Sequence, residues 1–233
     1  MTDNLTTLTI TAASLAFLHT VLGPDHYLPF IVMARARKWT IYKTSWVTLL
    51  SGFGHVISSI LLGTIGIGVG VALNKLEFME SLRGDLAAWL FVLFGLGYMV
   101  WGIYRVVKNR PHKHIHHHLN GTVHVHKHTH QEEHDHTHKQ NITPWILFTI
   151  FFLGPCEPLI PLLMYPAAQD SSWGIAQVSV VFGLITILTM LVLVLLASYG
   201  LNFVRLGKLE RYTHAMAGAM ILLSGMGILF LGL

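Results

Sequence analysis

Charge is scarce in this sequence. Only 11% of its 233 residues are Asp, Glu, Lys or Arg, whereas a soluble domain carries roughly 25%. So few ionised groups would not cover the surface of a water-soluble chain of this size. A soluble globular fold is excluded, and a mean hydropathy of +0.57 points to the bilayer. Cysteine is nearly missing too. Cys156 stands alone, so no disulfide forms within the chain. Residues 1–7 are polar and lack a basic stretch, so no cleavable signal peptide is expected. No Walker sequence and no His-Glu-x-x-His occur, which argues against ATP hydrolysis and against a zinc-peptidase helix. Lys and Arg are not gathered with stacking aromatics, so nucleic acid is not an expected partner.

What the chain has in quantity is uncharged length. Residues 4–24, 44–74, 86–104, 171–204 and 212–233 carry no charged group, and 140–169 carries only Glu157. A spanning helix needs about 20 mostly apolar residues. These intervals predict an all-α integral membrane fold with six spans, near 8–31, 44–72, 86–106, 144–166, 174–200 and 212–232. Trp39, Trp46, Trp89, Trp101, Trp145 and Trp173 fall near the proposed ends, where interfacial anchors belong.

Lys and Arg are divided unevenly between the two sides. The segments after spans one, three and five hold thirteen, from Arg35 to Arg211, and the opposite side holds only Lys75 and Arg83. By the positive-inside rule the three basic segments face the cytoplasm and both termini face outward. The expected location is the inner (cytoplasmic) membrane, multi-pass.

The two halves of the chain share a pattern. Leu22-Gly23-Pro24-Asp25-His26 matches Leu153-Gly154-Pro155-Cys156-Glu157, Phe53-Gly54 matches Phe182-Gly183, and Gly95 and Gly102 match Gly218 and Gly225. Each half has three spans, an odd number, so the second copy inserts upside down. The expected organisation is a first three-helix repeat over 1–110, a His-rich cytoplasmic loop over 111–141 and a second three-helix repeat over 142–233. An inverted repeat places a substrate site near the midplane, where the halves meet.

Ionisable groups are costly at that depth and point to function. His19, Asp25, His26, His55, Cys156, Glu157 and His214 are the polar groups of this kind. Two helical turns separate His19 from His26, about 10 Å along an intact helix, too far for one ion held at about 2 Å from each ligand. Gly23 and Pro24 are expected to break helix one, because proline cannot donate to the helix ladder and glycine tolerates unusual dihedrals. An unwound turn would bring His19, Asp25 and His26 together. Gly154 and Pro155 are expected to break helix four in the same way and present Glu157, a candidate cation ligand or proton carrier, with Cys156, a soft candidate ligand, beside it. His55, about a third of the way into span two, is a further candidate, and His214 reads as interfacial. The expected metal set is His19, Asp25, His26, His55, Cys156 and Glu157.

Residues 112–138 contain twelve histidines in 27 positions: His112, His114, His116, His117, His118, His124, His126, His128, His130, His134, His136 and His138. The tract shows no apolar periodicity and is expected to be disordered without metal. Neutral imidazole suits several transition metals, so the loop is expected to buffer ions at the cytoplasmic mouth as an accessory metal-binding element. Deleting 112–138 should then leave transport at saturating metal intact. Loss of flux under that condition would make the loop part of the transport site.

The His-x5-Asp-His stretch in span one, the second Gly-Pro motif, six spans and a His-rich loop together resemble the nickel/cobalt transporter group. The nearest likeness is to its branch of metal efflux and urease-accessory-like membrane proteins, in the lysine-exporter superfamily. The resemblance implies a three-plus-three inverted repeat and His19, Asp25 and His26 as ion ligands. Gly154-Pro155-Cys156-Glu157-Pro158 also resembles thiol-electron carriers of that superfamily. Those use a cysteine in each half; here Asp25 stands opposite Cys156, so dithiol chemistry within the chain is excluded.

The function expected is secondary transport of a divalent transition metal by alternating access, in either direction. Nickel or cobalt is favoured, with zinc, iron and manganese within the same ligand chemistry. The protein is not expected to be an enzyme. The bilayer, the metal ion and a cytoplasmic metallochaperone are the expected partners. Two rivals stand beside this reading: a metal-binding membrane accessory protein serving enzyme maturation, and a small-anion exporter of the same superfamily.

Overall fold

The computed structural model describes residues 2–108, 112–117, 123–128, 142–169, 171–203 and 207–231. Among them the chain runs α1 (Thr2–Leu22), a 3-10 turn (Pro24–His26), α2 (Leu28–Arg37), α3 (Ile41–Gly68) and α4 (Leu73–Lys108). Two short strands follow, β1 (His112–His117) and β2 (Val123–His128), and then α5 (Thr143–Leu153), α6 (Leu159–Ala168), α7 (Ser172–Asn202), a 3-10 turn (Gly207–Tyr212) and α8 (Thr213–Leu231).

Five helical stretches are long and apolar enough to cross a membrane: Asn4–Leu22, Ile41–Gly68, Leu73–Lys108, Ser172–Leu201 and Leu209–Leu231. The fourth expected span, near 144–166, is not a single helix, in keeping with the break expected at Gly154 and Pro155. It consists of α5 and α6, of 11 and 10 residues, each about 15 Å long and so half of a hydrocarbon core about 30 Å thick. The cause is local. Gly154 adopts an extended conformation (φ −60°, ψ 141°) after its N–H caps the Ile150 carbonyl at 2.9 Å. Pro155 and Pro158 then supply no N–H to carry the ladder across. Span one breaks in the same manner at Gly23 (φ −87°, ψ 94°) and Pro24.

The third span begins earlier than its apolar run. Lys75, Glu77, Glu80, Arg83 and Asp85 precede residue 86, yet α4 runs through them from Leu73. Glu80 and Arg83, one turn apart, pair with each other at 2.8 Å, so the first turns of α4 carry charge into the packed interior.

Within the tract expected to lack regular structure, β1 and β2 pair antiparallel, with His112 opposite His128 and His117 opposite Val123. The strands alternate His with Ile115, Val123 and Val125, and β-branched residues at alternate positions favour extended backbone. His118, His130, His134, His136 and His138 lie outside the described residues.

Caps hold several helix ends. The Thr40 hydroxyl accepts from the Lys43 N–H at the start of α3, and Ser171 accepts from Gly174 at the start of α7. α2 ends on Lys38 in the left-handed region (φ 51°), with the Trp39 N–H returning to the Ala34 carbonyl at 2.9 Å.

In the packed interior α4 lies along α8, α3 contacts α7 and α5, and α1 contacts α7. The α4–α8 pair is close because glycine meets glycine. A Cβ on Gly95 would stand 2.8 Å from the Gly218 carbonyl oxygen, and one on Gly218 would stand 2.7 Å from that of Gly95. Such backbone approach is the usual reason for small residues between membrane helices. A core of Phe30, Met33, Leu147, Ile150, Phe151, Met190 and Ile221 fills the space between the two breaks and the basic end of the bundle.

Candidate metal centre

The break at Gly23 decides where the first two histidines meet. On an unbroken helix His19 and His26 would be about 10 Å apart. Here the Gly23 N–H closes α1 on the His19 carbonyl (3.0 Å), the chain turns through Pro24–His26, and the two rings stand edge to face with centroids 4.6 Å apart. No side chain fits at Gly23, because a Cβ would lie 2.7 Å from His26 Nδ1 and 2.8 Å from Asp25 Oδ1. The extended backbone at Gly23 is open to any residue, so it is the close approach that favours glycine there.

The third imidazole comes from another helix. His55, at the midpoint of α3 and buried, places its ring 5.2 Å from that of His26. One ring nitrogen from each of His19, His26 and His55 lies within 4.8 Å of the others. Donors bound to one ion at about 2.1 Å stand about 3.4 Å apart in tetrahedral geometry, so small ring rotations close the set.

The hydrogen bonds orient these rings. His26 Nδ1 lies 3.2 Å from both Asp25 Oδ1 and the Gly23 carbonyl. Both are acceptors, so Nδ1 carries a proton, and in the neutral imidazole Nε2 keeps its lone pair. His55 Nδ1 faces the Phe151 carbonyl at 3.3 Å, with the same consequence. The Nε2 atoms of His19, His26 and His55 are all buried without a hydrogen-bond partner. A carboxylate or carbonyl behind a histidine is the usual way a metal-binding imidazole is held in one tautomer.

The expected ligands therefore divide. His19, His26 and His55 form the cluster. Asp25, half-buried, stands behind His26 as its partner. Cys156 is fully buried in an apolar cluster with Ala12, Ala16, Leu159 and Phe182, and Glu157 is exposed. Neither is in the group of converging donors found among the described residues. His214 bonds Tyr98 and Arg105 at the basic end of the bundle.

The break in the second half is held by residues that sequence reading passed over. Arg83 donates to Glu80 Oε1 (2.8 Å), Ser58 Oγ (2.6 Å) and the carbonyls of Phe152 (3.0 Å) and Gly154 (3.3 Å). Carbonyls at a helix end have no partner in their own ladder, and the guanidinium supplies one to the end of α5. Gly154 also packs on the His55 ring, with a Cβ there 3.2 Å from Nδ1. α3 thus ties the two breaks together, His55 reaching the first and Ser58 the second. The Glu80–Arg83 spacing of three is the signal that finds the pair, but the charges fall just outside the apolar run.

In comparisons with known proteins, a family model described as cytochrome C biogenesis protein transmembrane region matches residues 28–230. The match begins after His26, so His19, Asp25 and His26 lie outside it and His55 inside. Its description concerns cytochrome c biogenesis, so the likeness to nickel/cobalt transporters rests on the motifs alone. No curated protein and no solved structure matches the chain.

Proposed function

The chain belongs to the family of the cytochrome C biogenesis protein transmembrane region, and on that premise we propose that it is a secondary transporter of divalent transition-metal ions rather than an enzyme. Nickel or cobalt is favoured as substrate, held by His19, His26 and His55. A relay of electrons between two cysteines of this chain does not compete with this reading, because Cys156 has no second thiol to pair with.

The observation that carries the proposal is the trio of unpartnered Nε2 atoms. A buried polar atom without a partner costs about 1–3 kcal/mol. Three such imidazoles converging within a membrane protein are accounted for by a cation that takes a ring nitrogen from each. Imidazole donors without thiolate suit nickel, cobalt and zinc more than calcium or magnesium.

The movement we propose is alternating access of two inverted halves about the Gly23-Pro24 and Gly154-Pro155 breaks. The helix pairings support it. Exchanging α1–α2 with α5–α6, α3 with α7 and α4 with α8 turns the α1–α7 contact into α5–α3 and the α2–α8 contact into α6–α4. It leaves α4–α8 and α3–α7 unchanged. Broken helices at the interface of such halves are where ion sites form. The basic segments face the cytoplasm in this reading, with the histidine tract buffering ions there and a metallochaperone as recipient.

Flux in proteoliposomes across a panel of nickel, cobalt, zinc, iron and manganese tests the proposal. Wild type is expected to move at least one of these ions, and Asp25→Asn to lower the apparent affinity for it about 10–100-fold, the usual effect of removing the partner behind a metal-binding histidine. Tight binding without flux for every ion would refute transport and leave an accessory protein. Equal flux in wild type and Asp25→Asn would remove Asp25 from the site.

A further inference from the structure

The basic end of the bundle encloses a cavity of about 820 Å³ between α2, α4, α7, the Gly207–Tyr212 turn and α8. Arg35, Lys38, Arg105 and Arg211 line it, and among the described residues Glu210 is the only carboxylate in its lining. Two further donors sit in its wall. The Trp39 indole N–H and the Ser198 hydroxyl are buried without a hydrogen-bond partner. An indole N–H can only donate, so what completes Trp39 is an acceptor, and four of the five charged residues lining the cavity are cations.

His214 does not supply that acceptor. Its Nε2 lies 3.1 Å from Arg105 Nη1, and its Nδ1 lies 2.8 Å from the Tyr98 hydroxyl. Guanidinium has no lone pair to offer. Nε2 is therefore the acceptor, already used by Arg105, and Nδ1–H donates to Tyr98. This arrangement aims Arg105 and keeps the imidazole from adding a negative or accepting group to the cavity. Arg105 also stacks over Trp101 at 5.6 Å, and Arg211 over Tyr212 at 4.7 Å, which holds both guanidinium groups at the rim.

We propose that this cavity is a binding site for a phosphate-bearing anion, with Arg35, Lys38, Arg105 and Arg211 as charge partners and Trp39 and Ser198 as buried donors. Three guanidinium groups and an ammonium supply more donors than the two oxygens of a carboxylate can take, and the several oxygens of a phosphate match them. The volume exceeds that of a bare ion and accommodates a headgroup. Basic pockets between membrane helices at this level hold acidic lipid headgroups, and a soluble phosphate presents the same oxygens. The site is separate from the histidine cluster and does not depend on the identity of the ion bound there.

The full chain, purified in neutral detergent and in phosphatidylcholine nanodiscs with or without phosphatidylglycerol, distinguishes the sources. Saturable thermal stabilisation by inorganic phosphate, against chloride at equal ionic strength, identifies a soluble ligand. Selective retention of phosphatidylglycerol over phosphatidylcholine in native mass spectrometry identifies a lipid. In either case Arg105→Gln/Arg211→Gln is expected to weaken binding at least 10-fold. Trp39→Phe, which keeps the ring and removes the N–H, is expected to weaken it several-fold, and it serves where the double variant fails to fold. Absence of both phosphate stabilisation and phosphatidylglycerol retention overturns the proposal. So does binding that neither variant changes.

Discussion

His26→Ala is expected to abolish transition-metal binding at micromolar concentrations, with a loss of affinity of about 100-fold or more. Removing only the group behind a metal-binding histidine costs about 10–100-fold, and His26 is at the centre of the cluster. Its ring lies 4.6 Å from that of His19 and 5.2 Å from that of His55, so its loss leaves two imidazoles with a gap between them. The readout is calorimetric titration of nickel and cobalt into the detergent-solubilised protein, with the histidine tract 112–138 deleted so that its imidazoles do not mask the site. His55→Ala should behave similarly. Cys156→Ser and Glu157→Gln should leave affinity unchanged, because the thiol is in an apolar cluster and the carboxylate is exposed. Wild-type affinity in His26→Ala would sink the metal centre as drawn, and loss of binding in Glu157→Gln would show that the two breaks come together around the ion.

Arg83→Met is expected to be the most destabilising single substitution in the α3–α6 region, by about 3–5 kcal/mol, the cost of leaving one member of a buried ion pair alone. Glu80 is 1% exposed. Without Arg83 its carboxyl group is left buried with no cation in contact, and the Phe152 and Gly154 carbonyls lose the donor that ends α5. At about 2–4 °C per kcal/mol for a chain of this length, the midpoint of thermal unfolding in detergent should fall by about 6–20 °C. Glu80→Gln/Arg83→Met should recover a large part of that loss, since the buried charge is then gone. A double variant as unstable as Arg83→Met would assign the effect to the α5 carbonyls rather than to Glu80.

Residence in a membrane was legible from composition, because burial in lipid is limited by charge and charge is a sum over the chain. Helix positions were legible where an apolar run ended at a charge, as after Lys43 and Asp170. The same logic misplaced the start of α4. Lys75 to Asp85 read as a polar connection, but a helix accepts such residues when they pair within one turn. The apolar count placed α5 and α6 in one span, and Gly154 and Pro155 marked the break between them.

Both helix breaks were determined by sequence alone, since a missing N–H and the extended backbone that a proline imposes on the residue before it are properties of two adjacent residues. Proximity of His19 to His26 followed from the first break for the same reason. What only the tertiary structure decided was the third member and the exclusions. His55 reaches the cluster because α3 crosses the break at its midpoint. Cys156 turns into an apolar cluster, Glu157 stays exposed, and Asp25 stands behind a ligand. These outcomes depend on how each helix is rotated against its neighbours, and that rotation is set by packing across the bundle, which no local stretch of sequence contains.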